Sequence, residues 1–491
     1  MLQCREGDRA ALGKRTHLRD QTESILDQIP EQRSRRDGAQ SWHHCGRFGR
    51  GNDDHRAVAK NEEAARISDL RLFLIPLTLL LRLSRFAQLA MEDQHIVIVG
   101  GGIIGVTTAY YLAHSPKFGA RTRVTLLEAC EVAAGSSGKA GGLLSWDLLG
   151  NGHALSELSF DLHEQLANEH GGKERWGYRN VETVSIEADC SRNGGMSNGR
   201  TKKDSIDWID PTVLKRQRIL STDDTTAQVH PGLFTKAIAE LAVEAGVEII
   251  HATVDAISLS PLRLIATPLA SSVSQQQLVL EPTQILLAAG PWTGGLVEKL
   301  FGGTKGGGRA RDIDGERAHS VVLRPNEGLS LPAQAWFTSI KLGRGRSCEP
   351  EIYCRPDGTA YACGTVDDSP LPRLASDVET DPKACREIID QVALLSPAYL
   401  KTGENPTATI ETMQACYLPT GSGAPVLGKI AEGVFVASGH SCWGITLGKC
   451  RLAPRVPRVF MSRIAGPGTG YCMAELMLEG RSKIDLSSFA P

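Results

Sequence analysis

The sequence lacks two features that would point to common kinds of site. None of its 12 cysteines forms a C-x-x-C pair, which argues against a zinc site or a thioredoxin-like dithiol. The formal net charge is only −2 over 491 residues, so there is no general electrostatic attraction to nucleic acid or to an anionic membrane. We therefore expect no metal and no nucleic acid as partner. Scattered thiols suit a reducing compartment, which indicates the cytoplasm.

Long apolar runs are also missing. The most apolar stretch, residues 70–81, contains Arg71 and Pro76 and is too short for a confident transmembrane helix, so no integral membrane span is expected. Three interpretations of this stretch stay open: a membrane-associating segment, a helix docked on the rest of the protein, or part of a leader without a role. The third is favoured.

The N-terminal region differs in composition from the rest of the chain. Residues 1–69 are rich in Arg, Asp, Glu, Gln and His and show little apolar periodicity. Such a segment cannot bury enough apolar surface to offset the entropy lost on ordering. The globular pattern begins at Met91, a residue that would serve as an initiator. Residues 1–90 are therefore predicted to be a disordered leader or a gene-model extension.

A glycine-rich turn follows the first buried strand that the sequence predicts. His95–Val99 is a short β-branched run typical of a buried parallel strand, and residues 100–105 continue it as GGGIIG. Residues 106–113 are predicted to be helical. Strand, G-x-G-x-x-G and helix thus occur in the order of a dinucleotide-binding unit.

Each glycine of the G-x-G-x-x-G motif has a separate role. Gly100 permits the tight turn, Gly102 lets the backbone approach a diphosphate, and Gly105 lets helix and strand pack closely. The diphosphate would lie at the helix N-terminus, beside Ile103 and Ile104. Free N–H groups and the helix dipole favour an anion there.

An acidic residue ends the second predicted strand, residues 123–127. Glu128 follows the last glycine of the motif by a little more than twenty residues, a spacing that suits a carboxylate bonded to a ribose hydroxyl. A negative charge at this position disfavours a 2′-phosphate. The pattern therefore argues against NADP.

The stretch after Glu128 resembles a known family of flavoproteins. Residues 134–144 read AGSSGKAGGLL, and the D-amino-acid-oxidase-like FAD-dependent oxidoreductases have a similar segment of Gly, Ser and a cation that passes under the flavin and its phosphates. Small residues allow close backbone contact, while a hydroxyl and a cation can bind phosphate. The resemblance implies FAD contacts for Ser136, Ser137, Lys139, Gly142 and Leu143.

Further landmarks of the same family follow in order. Residues 230–250 resemble a proline-started helix running into a strand, and residues 285–292, ILLAAGPW, resemble the strand that ends beside the diphosphate. Residues 433–440, GVFVASGH, resemble the last flavin-contacting strand, and residues 466–470, GPGTG, a helix start near the flavin pyrimidine. The FAD contacts that these landmarks imply are Ala289, Gly290, Trp292, Gly439, Gly468 and Thr469.

The resemblance implies an α/β fold of two domains. One is a Rossmann-type FAD-binding domain, and the other is an antiparallel-sheet substrate domain that covers the flavin. Residues 91–175, 224–314 and 411–491 are predicted to form the FAD-binding domain, and residues 176–223 and 315–410 the substrate domain.

The spacing near the C-terminus departs from the family. In members of the family, the turn that corresponds to His440 leads almost at once into G-P-G-T-G. In this sequence, the basic, proline-bearing residues 446–465 lie between the two. Residues 448–450 could be encoded by codons that contain a splice-donor-like GTAAGT. Residues 446–465 are therefore interpreted as a non-native insertion from a retained intron, with a genuine surface insertion as the alternative.

The substrate motif departs as well. Amino-acid-oxidising members often carry an arginine in G-x-R-P that binds the substrate carboxylate, and Leu418 stands at that position. A standard amino-acid substrate would then need Arg317 or Arg355 to supply the cation. Cys416 raises the alternative of flavin attachment through a thioether, although a buried inert cysteine is the preferred interpretation.

No side chain stands out as an obligatory catalyst. His440 and Tyr353 are named as candidates for the substrate pocket, and His319 is interpreted as a strand histidine satisfied by its neighbours. The resemblance is closest to fungal oxidoreductases of the family, some of which are linked to endosome-to-Golgi traffic.

The resemblance implies oxidation of a C–N bond in a small amine or amino acid, with hydride transfer to the flavin of FAD and oxygen as the acceptor. Two alternatives stay open. One is a flavin-binding, non-catalytic or redox-sensing protein that works with endosomal trafficking machinery, which would make it endosome-associated. The other is a dehydrogenase that uses another electron acceptor.

Overall fold

The computed structural model describes most of the chain beyond residue 92. The predicted leader and the predicted insertion, residues 446–465, lie outside the described residues. The described ranges are 93–145, 154–191, 208–269, 276–304, 306–443 and 466–491.

The described residues contain 19 strands. In chain order they are β1 (Gln94–Val99), β2 (Thr122–Glu128), β3 (Leu143–Ser145), β4 (Arg179–Asn180), β5 (Glu182–Asp189), β6 (Leu214–Ser221), β7 (Thr226–Gln228), β8 (Glu248–Leu259), β9 (Leu262–Pro268), β10 (Leu278–Leu280), β11 (Gln284–Leu287), β12 (Asp314–Pro325), β13 (Gln334–Gly343), β14 (Arg346–Cys348), β15 (Glu351–Cys354), β16 (Ala360–Asp367), β17 (Ala408–Thr420), β18 (Val426–Ala431) and β19 (Val434–Ser438).

Helices lie between or after these strands. Within the described ranges, no helix is both long and apolar enough to cross a bilayer. In chain order, the helices are α1 (Ile103–Ala113), α2 (Ser136–Lys139), α3 (Ala154–His170), α4 (Gly172–Trp176), α5 (Pro231–Glu244), α6 (Thr293–Phe301), α7 (Pro382–Leu395), α8 (Pro397–Leu400) and α9 (Gly466–Glu479).

The first sheet has the strand order β10-β9-β8-β2-β1-β11-β19-β18. Its five central strands, from β8 to β19, are parallel. Because β1 lies between β2 and β11, the loops that follow these three strands meet at one edge of the sheet. Ligands of doubly wound sheets bind at this carboxyl edge. The predicted Rossmann-type sheet is confirmed.

Side chains of β1 alternate between two apolar layers, as the period of a strand requires. Ile96 and Ile98 pack in the core that contains Val106 of α1 and Met473 of α9. Val97 packs on the other side of the sheet, in the core formed with α6. With Ile96, Val97 and Ile98 all fully buried, β1 is covered on both faces. The predicted buried parallel strand is thus confirmed.

Within the described residues, helix α9 runs from Gly466 to Glu479 and includes the G-P-G-T-G motif that was predicted as a helix start. The G-P-G-T-G motif therefore forms the first turns of the helix itself, where Pro467 needs no N–H partner. A Cβ on Gly468 would lie 2.9 Å from the carbonyl oxygen of Leu155 in α3. A Cβ on Gly470 would lie 2.3 Å from the Thr107 hydroxyl in α1. The glycines thus let three helices pack closely.

The Gly- and Ser-rich segment that follows β2, residues 134–144, contains a one-turn helix, α2. Strand β3 follows it and belongs to a small sheet of order β3-β7-β4. Between them, Gly142 has φ +93°, and a Cβ there would lie 1.9 Å from the Val229 carbonyl oxygen. Residue 142 must therefore be glycine for the chain to pass this point.

The second sheet has the order β17-β12-β16-β15-β13-β5-β6 and is mostly antiparallel. Strands β15 and β16 form an antiparallel hairpin in which Glu351 lies opposite Cys363. Helix α7 covers one face, where Ile388 and Ile389 belong to the same apolar core as Trp336. Strand β17 pairs with β12 along its length, and so it spans the domain boundary predicted at residue 411.

Asp381 caps the N-terminus of helix α7, and substitution of this residue tests the cap. The Asp381 carboxylate accepts a hydrogen bond from the Lys383 N–H at 2.8 Å. We expect Asp381→Ala to lower the free energy of unfolding by about 1 kcal/mol, because one helix N–H loses its acceptor. Asp381→Asn keeps a side-chain oxygen and should cost much less. Urea unfolding followed by tryptophan fluorescence measures both, and equal losses would contradict the capping role.

Candidate functional site

A cavity of about 410 Å³ lies at the carboxyl edge of the first sheet. The turn after β1, the end of β2, helix α2 and the turn after β11 all contribute to its wall. The predicted site residues that line it are Gly100, Gly102, Ile103, Ile104, Glu128, Ser136, Ser137, Ala289, Gly290, Trp292 and His440.

The glycine turn has the geometry that a close backbone approach requires. Gly100 has φ +116°, and a Cβ there would lie 2.4 Å from the carbonyl oxygen of Ala288. A Cβ on Gly105 would lie 2.0 Å from the carbonyl oxygen of Gly100. Gly105 does not line the cavity. It lets α1 pack directly on the turn, which fixes the position of the helix N-terminus.

The N-terminus of α1 faces the cavity and fits the diphosphate of a dinucleotide. The helix begins after Gly102, which offers no side-chain cap, and its first turn carries no acidic residue. The hydroxyl of Ser137 accepts a hydrogen bond from the Ile103 N–H at 2.9 Å. Backbone N–H groups, a hydroxyl and the positive end of the helix dipole therefore converge where an anion would bind.

Glu128 lies at the next wall of the cavity and is held by two backbone groups. One carboxylate oxygen accepts from the Gly101 N–H at 2.6 Å, and the other accepts from the Cys130 N–H at 2.8 Å. Burial raises the pKa of Glu128, while these N–H groups act in the opposite direction. The carboxylate is thus fixed in orientation, as a group that bonds a ribose hydroxyl must be.

A loop from the second sheet completes the cavity, and the sequence did not predict it. The indole N–H of Trp292 donates to the Pro372 carbonyl at 2.7 Å, and the Tyr417 hydroxyl donates to the Pro370 carbonyl at 2.7 Å. Arg373 and Leu374 of this loop line the cavity. The prolines indicate a loop after β16, but nothing in the pattern places it beside β11.

Strand β8 and helix α6 form another wall of the cavity, which the sequence did not predict. Neither element carries a G-x-G-x-x-G motif that would have marked it. Lys299 and Arg373 add two exposed cations at the rim of a site that would hold an anionic ligand. The missed residues of this wall are Ala252, Thr253, Val254, Asp255, Gly295, Leu296 and Lys299.

Several predicted FAD contacts lie outside the cavity. Lys139 donates from Nζ to the Ala415 carbonyl of β17 at 2.9 Å, so it joins α2 to the second sheet. The other predicted contacts that do not line the cavity are Gly105, Gly142, Leu143, Gly439, Gly468 and Thr469.

His440 is the predicted pocket residue that does line the cavity. Its Nε2 lies 3.2 Å from the Thr469 hydroxyl, so the turn after β19 contacts the first turn of α9. Burial lowers the pKa of His440 to about 3. The imidazole is therefore neutral at neutral pH and suits hydrogen bonding rather than general-base chemistry.

Tyr353 does not line the cavity. Its side chain is fully buried, and its hydroxyl donates to Glu351. A Cβ on Gly141 would lie 2.4 Å from the ring, so the phenol packs directly on the segment between α2 and β3. Burial and the Glu351 charge raise the pKa of Tyr353 well above its usual value. The phenol therefore stays protonated.

Two other candidates are buried in strands of the second sheet. His319 is fully buried, its Nε2 accepts a hydrogen bond from the Asp381 N–H at 3.1 Å, and its Nδ1 lies 3.7 Å from an Asp367 carboxylate oxygen, as a strand histidine held by its neighbours would be. Burial raises the pKa of Cys416 to about 11. A protonated thiol is a poor nucleophile, so this environment favours the inert interpretation of Cys416.

Two fungal relatives are similar to the chain over most of its length. The protein of Schizosaccharomyces pombe that carries the name "Putative oxidoreductase C1F5.03c" is 36% identical over 407 residues, which cover 79% of this chain and 95% of that protein. The protein of Saccharomyces cerevisiae that carries the name "Putative oxidoreductase TDA3" is 28% identical, over 81% of this chain and 94% of that protein.

Solved structures with the same fold include enzymes that act on amino acids. Glycine oxidase from Geobacillus kaustophilus superposes with a TM-score of 0.59 at 18% identity, over 81% of this chain and 98% of that chain. L-proline dehydrogenase from P. horikoshii superposes with a TM-score of 0.58 at 16% identity, over 82% and 97% of the two chains. At these identities the likeness shows the fold.

The family itself is shown by a match over most of the described residues. Residues 95–449 match the model of the family described as DAO, FAD dependent oxidoreductase. The glycine turn, the start of α1 at the cavity and the carboxylate of Glu128, which two backbone N–H groups hold in place, fit the cofactor that this family carries. The chain therefore belongs to the DAO family of FAD-dependent oxidoreductases, and its cofactor is FAD.

Proposed function

We propose that the chain oxidises a C–N bond of a small amine or amino acid, with oxygen as the electron acceptor. The observation that carries the proposal is the cavity where the glycine turn, Glu128 and His440 converge beneath the second sheet. Glycine oxidase and L-proline dehydrogenase, whose names refer to C–N compounds, share this fold. Their likeness supports the choice of bond.

FAD would lie across the carboxyl edge of the first sheet. Its diphosphate would contact the N–H groups at Gly102 and Ile103 and the Ser137 hydroxyl, and its ribose would bond Glu128. Arg373 and Lys299 would offset the negative charge of the diphosphate from the rim. These roles are supported by the place of each group in the cavity wall.

The flavin end would lie toward the second sheet. Residues 139–142 are held there by three contacts: Lys139 on the Ala415 carbonyl, Gln414 on the Lys139 carbonyl at 3.2 Å, and Arg355 on the Ala140 carbonyl at 3.1 Å. When bound, FAD supplies the two-electron acceptor for a hydride from the substrate carbon. The protein contributes position and exclusion of water.

Neutral His440 has a positioning role in this proposal. An imidazole whose pKa is about 3 cannot hold a proton from an amine at neutral pH, but it can donate or accept one hydrogen bond. It would therefore orient the flavin or the substrate. The uncharged amine would be the reacting form, and its proton would be lost to solvent before hydride transfer.

The activity can be tested on the purified full chain with its FAD. We expect anaerobic addition of amines or amino acids to bleach the visible absorption of oxidised flavin, and admission of oxygen to restore it with release of hydrogen peroxide. Bleaching that oxygen does not reverse would indicate a dehydrogenase with another acceptor. Retained FAD that no amine or amino acid reduces would contradict the proposal and favour a binding or sensing role.

The placement of FAD can be tested at the glycine turn. In Gly105→Ala the new methyl group would collide with the Gly100 carbonyl, so the turn and the start of α1 must separate. We expect FAD affinity to fall at least about tenfold, or ~1.4 kcal/mol, measured by quenching of flavin fluorescence. Gly119→Ala is the matched control, because nothing lies within 4 Å of its Cβ. Equal FAD affinity in both variants would contradict the placement.

A further inference from the structure

We propose that residues 368–378 form a strap across the FAD site, and that opening of this strap sets the rate at which FAD leaves the protein. The strap lies between strand β16 and helix α7. The inference rests on the placement of FAD in the proposed function, and it does not depend on which substrate is oxidised.

Two contacts of the strap lie on either side of the glycine turn. The indole N–H of Trp292, in the turn after β11, donates to the Pro372 carbonyl at 2.7 Å. The Cys130 thiol, in the turn after β2, donates to the Ser376 hydroxyl at 3.7 Å. Strand β1 lies between β2 and β11, so the strap passes across the turn that follows β1. A diphosphate at the start of α1 would lie beneath it.

The part of the strap between these two contacts lines the cavity. Its members there are Arg373, Leu374 and Ala375. A dinucleotide against the carboxyl edge of the first sheet would be covered by these residues, and Arg373 would bring a cation toward its phosphates. Release of the cofactor on this side therefore requires the strap to move away from the sheet.

The two ends of the strap are fixed to the second sheet. Arg317 of β12 joins them, because its Nε pairs with Asp367 at 3.0 Å and its Nη1 donates to the Glu379 carbonyl at 3.1 Å. Two residues further along β12, His319 accepts a hydrogen bond from the Asp381 N–H. The Arg317 side chain is only 15% exposed, so this base is shielded from solvent.

The tip of the strap, residues 370–376, is held more weakly than its base. The Tyr417 hydroxyl donates to the Pro370 carbonyl at 2.7 Å. In the described part of the chain, this bond and those of Trp292 and Cys130 are the side-chain hydrogen bonds that join the tip to its surroundings. Arg373 is exposed. Because segments with few buried contacts open locally, the tip can open while the base stays in place.

A reversible crosslink can hold the strap closed. In Ser376→Cys the new thiol would lie opposite Cys130, whose sulfur is 3.7 Å from the native hydroxyl, so a disulfide of about 2 Å can form after a small side-chain rotation. The full-chain variant is loaded with FAD and oxidised with diamide, which takes up the two electrons and two protons that the thiols lose. After dilution far below the Kd, we expect the rise in FAD fluorescence to slow at least about tenfold, and dithiothreitol to restore the original rate.

The matched control is the double variant Cys130→Ser with Ser376→Cys. It retains the new thiol and every other cysteine but cannot form this crosslink, so diamide should leave its rate of FAD release unchanged. Titration of free thiols before and after oxidation checks the crosslink, because Ser376→Cys should lose two more thiols than the control.

Loosening the tip should have the opposite effect. Tyr417→Phe removes the donor to the Pro370 carbonyl, and Tyr417 does not line the cavity. We expect FAD release about fivefold faster than from the native chain, since one hydrogen bond of the tip is lost. Tyr399→Phe removes a hydroxyl from a tyrosine that packs on the core of helix α7, and it should leave the rate unchanged.

The outcomes separate the strap from the placement of FAD. Equal release from the crosslinked and reduced forms would overturn the strap, and so would equal release from Tyr417→Phe and Tyr399→Phe. Failure of the two thiols to pair would also overturn it, because the strap would then not lie over Cys130. A chain that takes up no FAD, or an unchanged FAD affinity in Gly105→Ala, would instead overturn the placement on which the inference rests.

Discussion

The close approach of one helix to one turn determines where the cofactor can bind. The Gly100 carbonyl lies so near residue 105 that only glycine fits, and this contact fixes the start of α1 at the carboxyl edge of the first sheet. The start of α1 then faces the cavity, where the Ser137 hydroxyl accepts a hydrogen bond from the Ile103 N–H. Glu128 is held by the N–H of Gly101 from the same turn, so the diphosphate and ribose positions depend on one backbone arrangement.

The second sheet depends on this arrangement through the segment that follows it. Residues 139–142 leave α2, contact β17 through Lys139 and support the ring of Tyr353 through Gly141. A segment whose small residues lie beside the candidate cofactor site thereby also contacts the adjoining face of the second sheet.

Local motifs predicted the first sheet and much of the cavity wall, because a glycine turn and a strand period are properties of adjacent residues. The Gly100–Gly105 turn and Glu128 needed no knowledge of distant contacts. The loop at Arg373 could not be predicted, since its place depends on the Trp292–Pro372 hydrogen bond between distant segments. Lys139 had the right charge for phosphate, yet a carbonyl 276 residues away engages it. Likewise, Tyr353 lies outside the cavity because its packing on Gly141, which sequence spacing does not record, determines its place.

A crystal structure of the full chain with FAD tests the central claim most directly. We predict the diphosphate oxygens at hydrogen-bonding distance, about 3 Å, from the N–H groups at the start of α1 and from the Ser137 hydroxyl, with a ribose hydroxyl on Glu128. FAD bound elsewhere, or with its diphosphate away from α1, would contradict the account.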